Sequence, residues 1–99
     1  MTGTTRSSAD LDPRRRKILF RSWHRGTREM DLIMGRFADV AIGELTPAEL
    51  DDYEQLIEVK DRDLFAWITD QADAPGNYDT AVYRRLKAFH TEGKGAWAG

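Results

Sequence analysis

Along residues 30–41 the apolar side chains Met30, Ile33, Met34, Phe37, Ala38 and Ala41 fall at i, i+3, i+4, i+7, i+8 and i+11. That spacing lays them on one face of a helix, and a strand could not bury it, because strand side chains alternate between two faces. A stripe this wide must be covered by other elements. It therefore predicts the central helix of an all-α fold, provided the flanking sequence supplies helices to pack against it.

The flanks supply them. Asp12-Pro13 is a helix start, with a carboxylate for free backbone N–H groups and a proline where its missing N–H costs nothing, and it opens a first helix over 13–25. Gly26 ends that helix, since glycine enters the left-handed region without a steric penalty, and the central helix begins at once and runs to Gly43. Thr46-Pro47-Ala48-Glu49 reads as a capping box before a third helix, whose apolar face is Leu50, Tyr53, Leu56 and Ile57. Asp61 or Asp63 can cap a fourth helix carrying Leu64, Phe65, Trp67 and Ile68, a dense group expected to anchor the core. Residues 72–77, with Pro75-Gly76, form a loop, and Asn77 is expected to cap a fifth helix with Tyr78, Val82, Leu86 and Phe89 on one side. No stretch alternates as a strand would. The expected architecture is a compact five-helix bundle over 13–92, with a disordered N-terminal tail at 1–12 and a flexible C-terminal tail at 93–99.

Ninety-nine residues make one core rather than two. The absence of cysteine removes disulfides, thiol nucleophiles and thiolate metal sites together. No run approaches the ~20 apolar residues of a membrane span, and residues 1–12 are polar, so membrane insertion and signal-directed export are not expected. The bacterial cytoplasm is the expected compartment, ahead of the mitochondrial matrix. Catalysis finds little support: His24 lies two positions from Ser22, on a different helical face, and His90 is on another element. Both histidines fall in the last turn of a predicted helix, where a protonated imidazole favours the dipole. No metal-ligand spacing and no phosphate-binding glycine motif occurs, so no enzyme activity, no metal and no tightly bound cofactor are expected.

The net charge of −2 conceals a split, with eight Lys/Arg against three Asp/Glu in 1–30 and seven against fourteen in 31–99. Arg14-Arg15-Arg16-Lys17 is the strongest hint of a nucleic-acid-binding module, the alternative function. Against it stand the acidic balance of the whole and Glu29, Asp31 and Asp39 on the following helix. The tract 25–31 concentrates charges of both signs at a helix–helix corner. One reading is an Arg25–Glu29 ion pair within the chain. The other is a docking patch, with Gly26 leaving bare backbone between Arg25, Arg28 and Glu29 for a polar protein partner. In the second case Gly26→Arg should abolish binding and spare stability. Spacing alone does not choose.

Arg25-Gly26-Thr27-Arg28-Glu29 resembles the RGxxE signature of the succinate dehydrogenase assembly factors, or flavinators, called SdhE in bacteria. The surrounding blocks are similar in order and spacing: Arg16 to Ser22 before it, Asp31 to Ala38 after it, then Leu45-Thr46-Pro47-Ala48-Glu49-Leu50 and Asp61 to Ile68. The resemblance covers about 14–89. It implies a chaperone-like factor that binds the flavoprotein subunit of succinate dehydrogenase, in some bacteria of fumarate reductase, and promotes covalent attachment of FAD to a histidine of that client. The FAD is then carried by the client. The resemblance assigns Arg25, Gly26 and Glu29 to the contact, with Arg28 and Asp31 beside them; helix geometry adds Arg21, one turn before Arg25. A monomer is expected.

Overall fold

The computed structural model describes residues 10–92, and the expectations for residues 1–9 and 93–99 lie outside them. Five helices make up the described chain: α1 Pro13–Trp23, α2 Arg28–Ala41, α3 Pro47–Ile57, α4 Asp61–Ile68 and α5 Ala81–Thr91. The stripe on α2 is the centre of the core, with each of its six residues at most 2% exposed. α1 covers it with Ile18, Leu19 and Trp23, and α5 closes it with Val82, Tyr83 and Leu86. Leu50, Tyr53, Leu56 and Ile57 bury the predicted face of α3. Among the described residues there is no strand.

Tyr53 is fully enclosed, and its hydroxyl shares a 2.9 Å hydrogen bond with Ser22 Oγ, which also reaches the Ile18 carbonyl at 2.8 Å. Ser22 is thus a satisfied core hydroxyl tying α1 to α3. Burial pushes the Tyr53 phenol up from its ordinary pKa, although the bond to Ser22 pulls the other way.

The capping box forms as read: Thr46 Oγ1 accepts from the Glu49 N–H at 3.2 Å, and Glu49 Oε1 accepts from the Thr46 N–H at 2.9 Å. Thr46→Ala removes one of these bonds. It is expected to cost ~1 kcal/mol and to lower Tm by roughly 4–8 °C in a domain of this size, as thermal unfolding followed by circular dichroism would show.

The start of α1 at Pro13 is as read, and several other boundaries differ from the sequence reading, each for a local reason. Asp12 caps α1 as read, accepting from the Arg15 N–H at 3.3 Å, while Leu11, expected in the tail, is buried with the core. α1 stops at Trp23, two residues short of Arg25. α4 has Lys60 at its N-cap with no side-chain cap; Asp61 is already inside the helix, and its carboxylate serves Arg25 and Thr27 instead. Asn77 does not cap α5. Residues 75–78 close a turn, with the Tyr78 N–H donating to the Pro75 carbonyl at 2.9 Å, and Thr80 caps α5 by accepting from the Tyr83 N–H. The aromatic block on α4 is only half core: Leu64 and Ile68 are buried, while Phe65 and Trp67 lie part-exposed against it, Trp67 stacked at a tilt on Tyr78.

Candidate partner-binding corner

The link between α1 and α2 is shaped from inside the protein. His24 leaves the helical conformation after Trp23, and Gly26 takes φ +121°, a region closed to most side chains. Thr27 then caps α2, its hydroxyl accepting from the Met30 N–H at 3.3 Å. Asp31, one turn into α2, folds back so that Oδ1 accepts from the backbone N–H groups of Arg25 at 2.5 Å and Gly26 at 3.3 Å. A carboxylate in the first turn also lies at the positive end of the helix dipole, so it holds the loop and stabilises the helix together.

Arg25 points inward, with its side chain 6% exposed. Its Nε donates to Asp61 Oδ1 at 2.9 Å, and its remaining nitrogens donate to the carbonyls of Ile57 and Val59, the latter at 2.6 Å. The other Asp61 oxygen accepts from Thr27 Oγ1 at 3.3 Å. One guanidinium therefore ties the α1–α2 corner to the α3–α4 link, and the anticipated Arg25–Glu29 pair gives way to Arg25–Asp61.

Among the six expected site residues, two shape the corner from within: Arg25 and Asp31. Arg21 pairs with Glu58 at 2.7 Å on the surface, and its guanidinium holds the Glu58 carboxyl below the usual carboxylate range. Gly26, Arg28 and Glu29 are exposed at the corner, and neither Arg28 nor Glu29 has a hydrogen bond or ion pair among the described residues. The expectation that Gly26→Arg spares stability is overturned: a Cβ at Gly26 meets nothing nearer than 3.9 Å, but at φ +121° any side chain is strained.

Beside the corner, Thr27, Glu29, Met30, Asp61, Arg62 and Phe65 line an open groove of about 300 Å³ between the starts of α2 and α4. Sequence reasoning missed it. The block containing Asp61, Arg62 and Phe65 was legible only as a helix start and core, and nothing in its spacing said that it faces the α1–α2 link.

The basic run on α1 divides in two. Arg14 bonds Asp51 at 2.6 Å and Glu54 at 2.7 Å on α3, and Arg15 bonds Asp12 and the carbonyls of Ile42 and Leu45. Arg16 and Lys17 stay exposed. Half of the run is thus engaged in holding α1 in place, which leaves two cations, too few for a phosphate-tracking face. His24 stacks on Phe20, with ring centroids 3.9 Å apart. His90 lies in the last turn of α5. No helix among the described residues is long and apolar enough to cross a membrane.

The described residues thus form a small all-α protein that braces an exposed, charged corner from within and places a groove beside it. Residues 16–90 match the family model described as flavinator of succinate dehydrogenase. The chain belongs to that family. It is 37% identical over 79 residues to the mitochondrial succinate dehydrogenase assembly factor 2 of Dictyostelium discoideum, covering 80% of this chain and 56% of that protein. It is 35% identical over 77 residues to the FAD assembly factor SdhE of Acetobacter pasteurianus, covering 78% and 71%. The mitochondrial factor of Kluyveromyces lactis is 37% identical over 65 residues, 66% of this chain and 40% of that one. The chain spans about half the length of the mitochondrial relatives it matches.

Proposed function

We propose that this chain binds the flavoprotein subunit of succinate dehydrogenase and promotes covalent attachment of FAD to it, while contributing no catalytic group. The observation that carries this reading is the corner: Gly26, Arg28 and Glu29 stand exposed, the two charges unengaged among the described residues, on a link fixed by Arg25, Asp31 and Asp61. Preorganised charges suit a partner of complementary polarity, because the ordering entropy of the loop is already met before binding. FAD belongs to the client in this reading. A factor without catalytic groups accelerates the attachment by favouring the client conformation in which histidine and flavin are correctly oriented. The flavoprotein of fumarate reductase is the second client, and the chain acts as a monomer. We assign it to a bacterial cytoplasm, a reading supported by its 35% identity to the Acetobacter relative.

The test is to produce the flavoprotein subunit with and without this chain and to measure the flavin fluorescence that stays on the subunit in a denaturing gel. The chain is expected to raise it. Glu29→Ala is expected to weaken client binding about tenfold and remove the gain, with Tm unchanged within ~2 °C, because an exposed, unpaired side chain contributes little to stability. Equal labelling with and without the chain, the client being folded and FAD present, would refute the reading.

A further inference from the structure

The groove beside the corner is apolar where it is deep and charged where it opens. Its floor is Met30, which belongs to the core, and Phe65, which lies part-exposed against the core. The polar groups in its walls are already satisfied: Thr27 Oγ1 serves Met30 N–H and Asp61, and the Asp61 carboxylate serves Arg25 and Thr27. They offer an incoming group little. At the rim stand Glu29 and Arg62, of opposite sign, both exposed and both without a hydrogen bond or ion pair among the described residues.

We infer that this groove receives one large apolar side chain from an exposed segment of the flavoprotein client, with a basic group of that segment against Glu29 and an acidic group against Arg62. The inference rests on the client reading given above and adds the chemistry of what docks. About 300 Å³ is the lower end of ligand-binding cavities, room for one leucine, methionine or phenylalanine side chain together with part of the segment that carries it. A buried apolar anchor ringed by charge pairs is also the usual arrangement where a few residues dominate an interface. A second copy of this chain fits less well. Among the described residues its exposed large apolar groups are Phe20, 62% exposed, and Val40. The charges on the helix of Phe20 without an ion pair among the described residues are the cations Arg16 and Lys17, which would complement Glu29 but oppose Arg62.

The experiment is calorimetric titration of the flavoprotein subunit with the full chain and three variants, beside thermal unfolding of each. Phe65→Leu keeps the floor apolar and is expected to bind within about threefold of wild type. Phe65→Glu places a charge on the floor and is expected to bind at least about tenfold more weakly. Arg62→Glu reverses an exposed rim charge, is expected to bind about fivefold more weakly with unchanged unfolding, and decides the matter if Phe65→Glu fails to fold. Wild-type binding with Phe65→Glu and Arg62→Glu both within about twofold would overturn the groove while leaving the client reading intact. A wild-type chain that does not bind the subunit overturns the client reading and the groove with it. A self-associating chain whose dimer, but not whose client binding, is lost in Arg62→Glu assigns the groove to a second copy and overturns the inference.

Discussion

Gly35→Ala is expected to lower Tm by on the order of 10 °C, the reverse of what a glycine-to-alanine change in a helix ordinarily does. Helix propensity alone favours alanine by ~1 kcal/mol. The packing decides otherwise. Gly35 lies buried in α2 under α1, and a Cβ placed there would stand 2.3, 2.4 and 2.7 Å from three atoms of the Trp23 indole. The ring cannot step aside, since Trp23 is buried and its Nε1 donates to Asp39 Oδ1 at 3.1 Å. Either α1 lifts off α2 or the indole leaves its bond, and overpacking of this kind costs ~1–3 kcal/mol, sometimes more. At roughly 4–8 °C per kcal/mol that outweighs the propensity gain. Trp23→Phe trims the fused ring, so the double variant Gly35→Ala, Trp23→Phe should lose less than the sum of the two single losses, with a coupling of ~1 kcal/mol. A Gly35→Ala protein as stable as wild type would show that the two helices separate at little cost.

What made the helices legible was periodicity, and what hid the site was tertiary. The stripe on α2 and the face of α3 repeat at helical spacing and are buried residue by residue. On α5, Val82 and Leu86 of the expected face are buried and Phe89 is only partly so, whereas Tyr78 falls in the turn before the helix and Tyr83 takes a core place that the spacing did not assign. The capping box at Thr46 was equally legible, because both of its partners lie within four residues. Where a polar side chain had a distant partner, local rules misplaced it. Asp61 has the identity and position of a cap, yet Arg25, 36 residues earlier in the chain, takes its carboxylate. Nothing local marks Gly35 as required, because the indole that demands it sits twelve positions earlier on another element. The same limit applies to the corner. Gly26, Arg28 and Glu29 lie exposed there, whereas the inward turn of Arg25 and Asp31 depended on which helix starts lie nearby.

Arg25→Ala is expected to cost roughly 2–4 kcal/mol and to lower Tm on the order of 15 °C. The truncation strands the Asp61 carboxylate and leaves the Ile57 and Val59 carbonyls without their donors. Breaking an enclosed pair costs ~3–5 kcal/mol; Asp61 keeps 20% of its side chain in contact with water, which places the loss somewhat lower. Arg25→Lys should recover only part of it, since a single ammonium cannot reproduce the fork that reaches a carboxylate and two carbonyls at once. Removing both charges is a sharper test: Arg25→Ala with Asp61→Ala no longer buries an unpaired carboxylate, so it should be less unstable than the sum of the single variants. The contrast with Glu29→Ala separates scaffold from contact. If Arg25 works by holding the corner in shape, its loss lowers both Tm and client labelling, while Glu29→Ala lowers labelling alone. An Arg25→Ala protein that unfolds within ~2 °C of wild type and still fails to label the client would instead make Arg25 a direct contact, with a side chain that swings outward on binding.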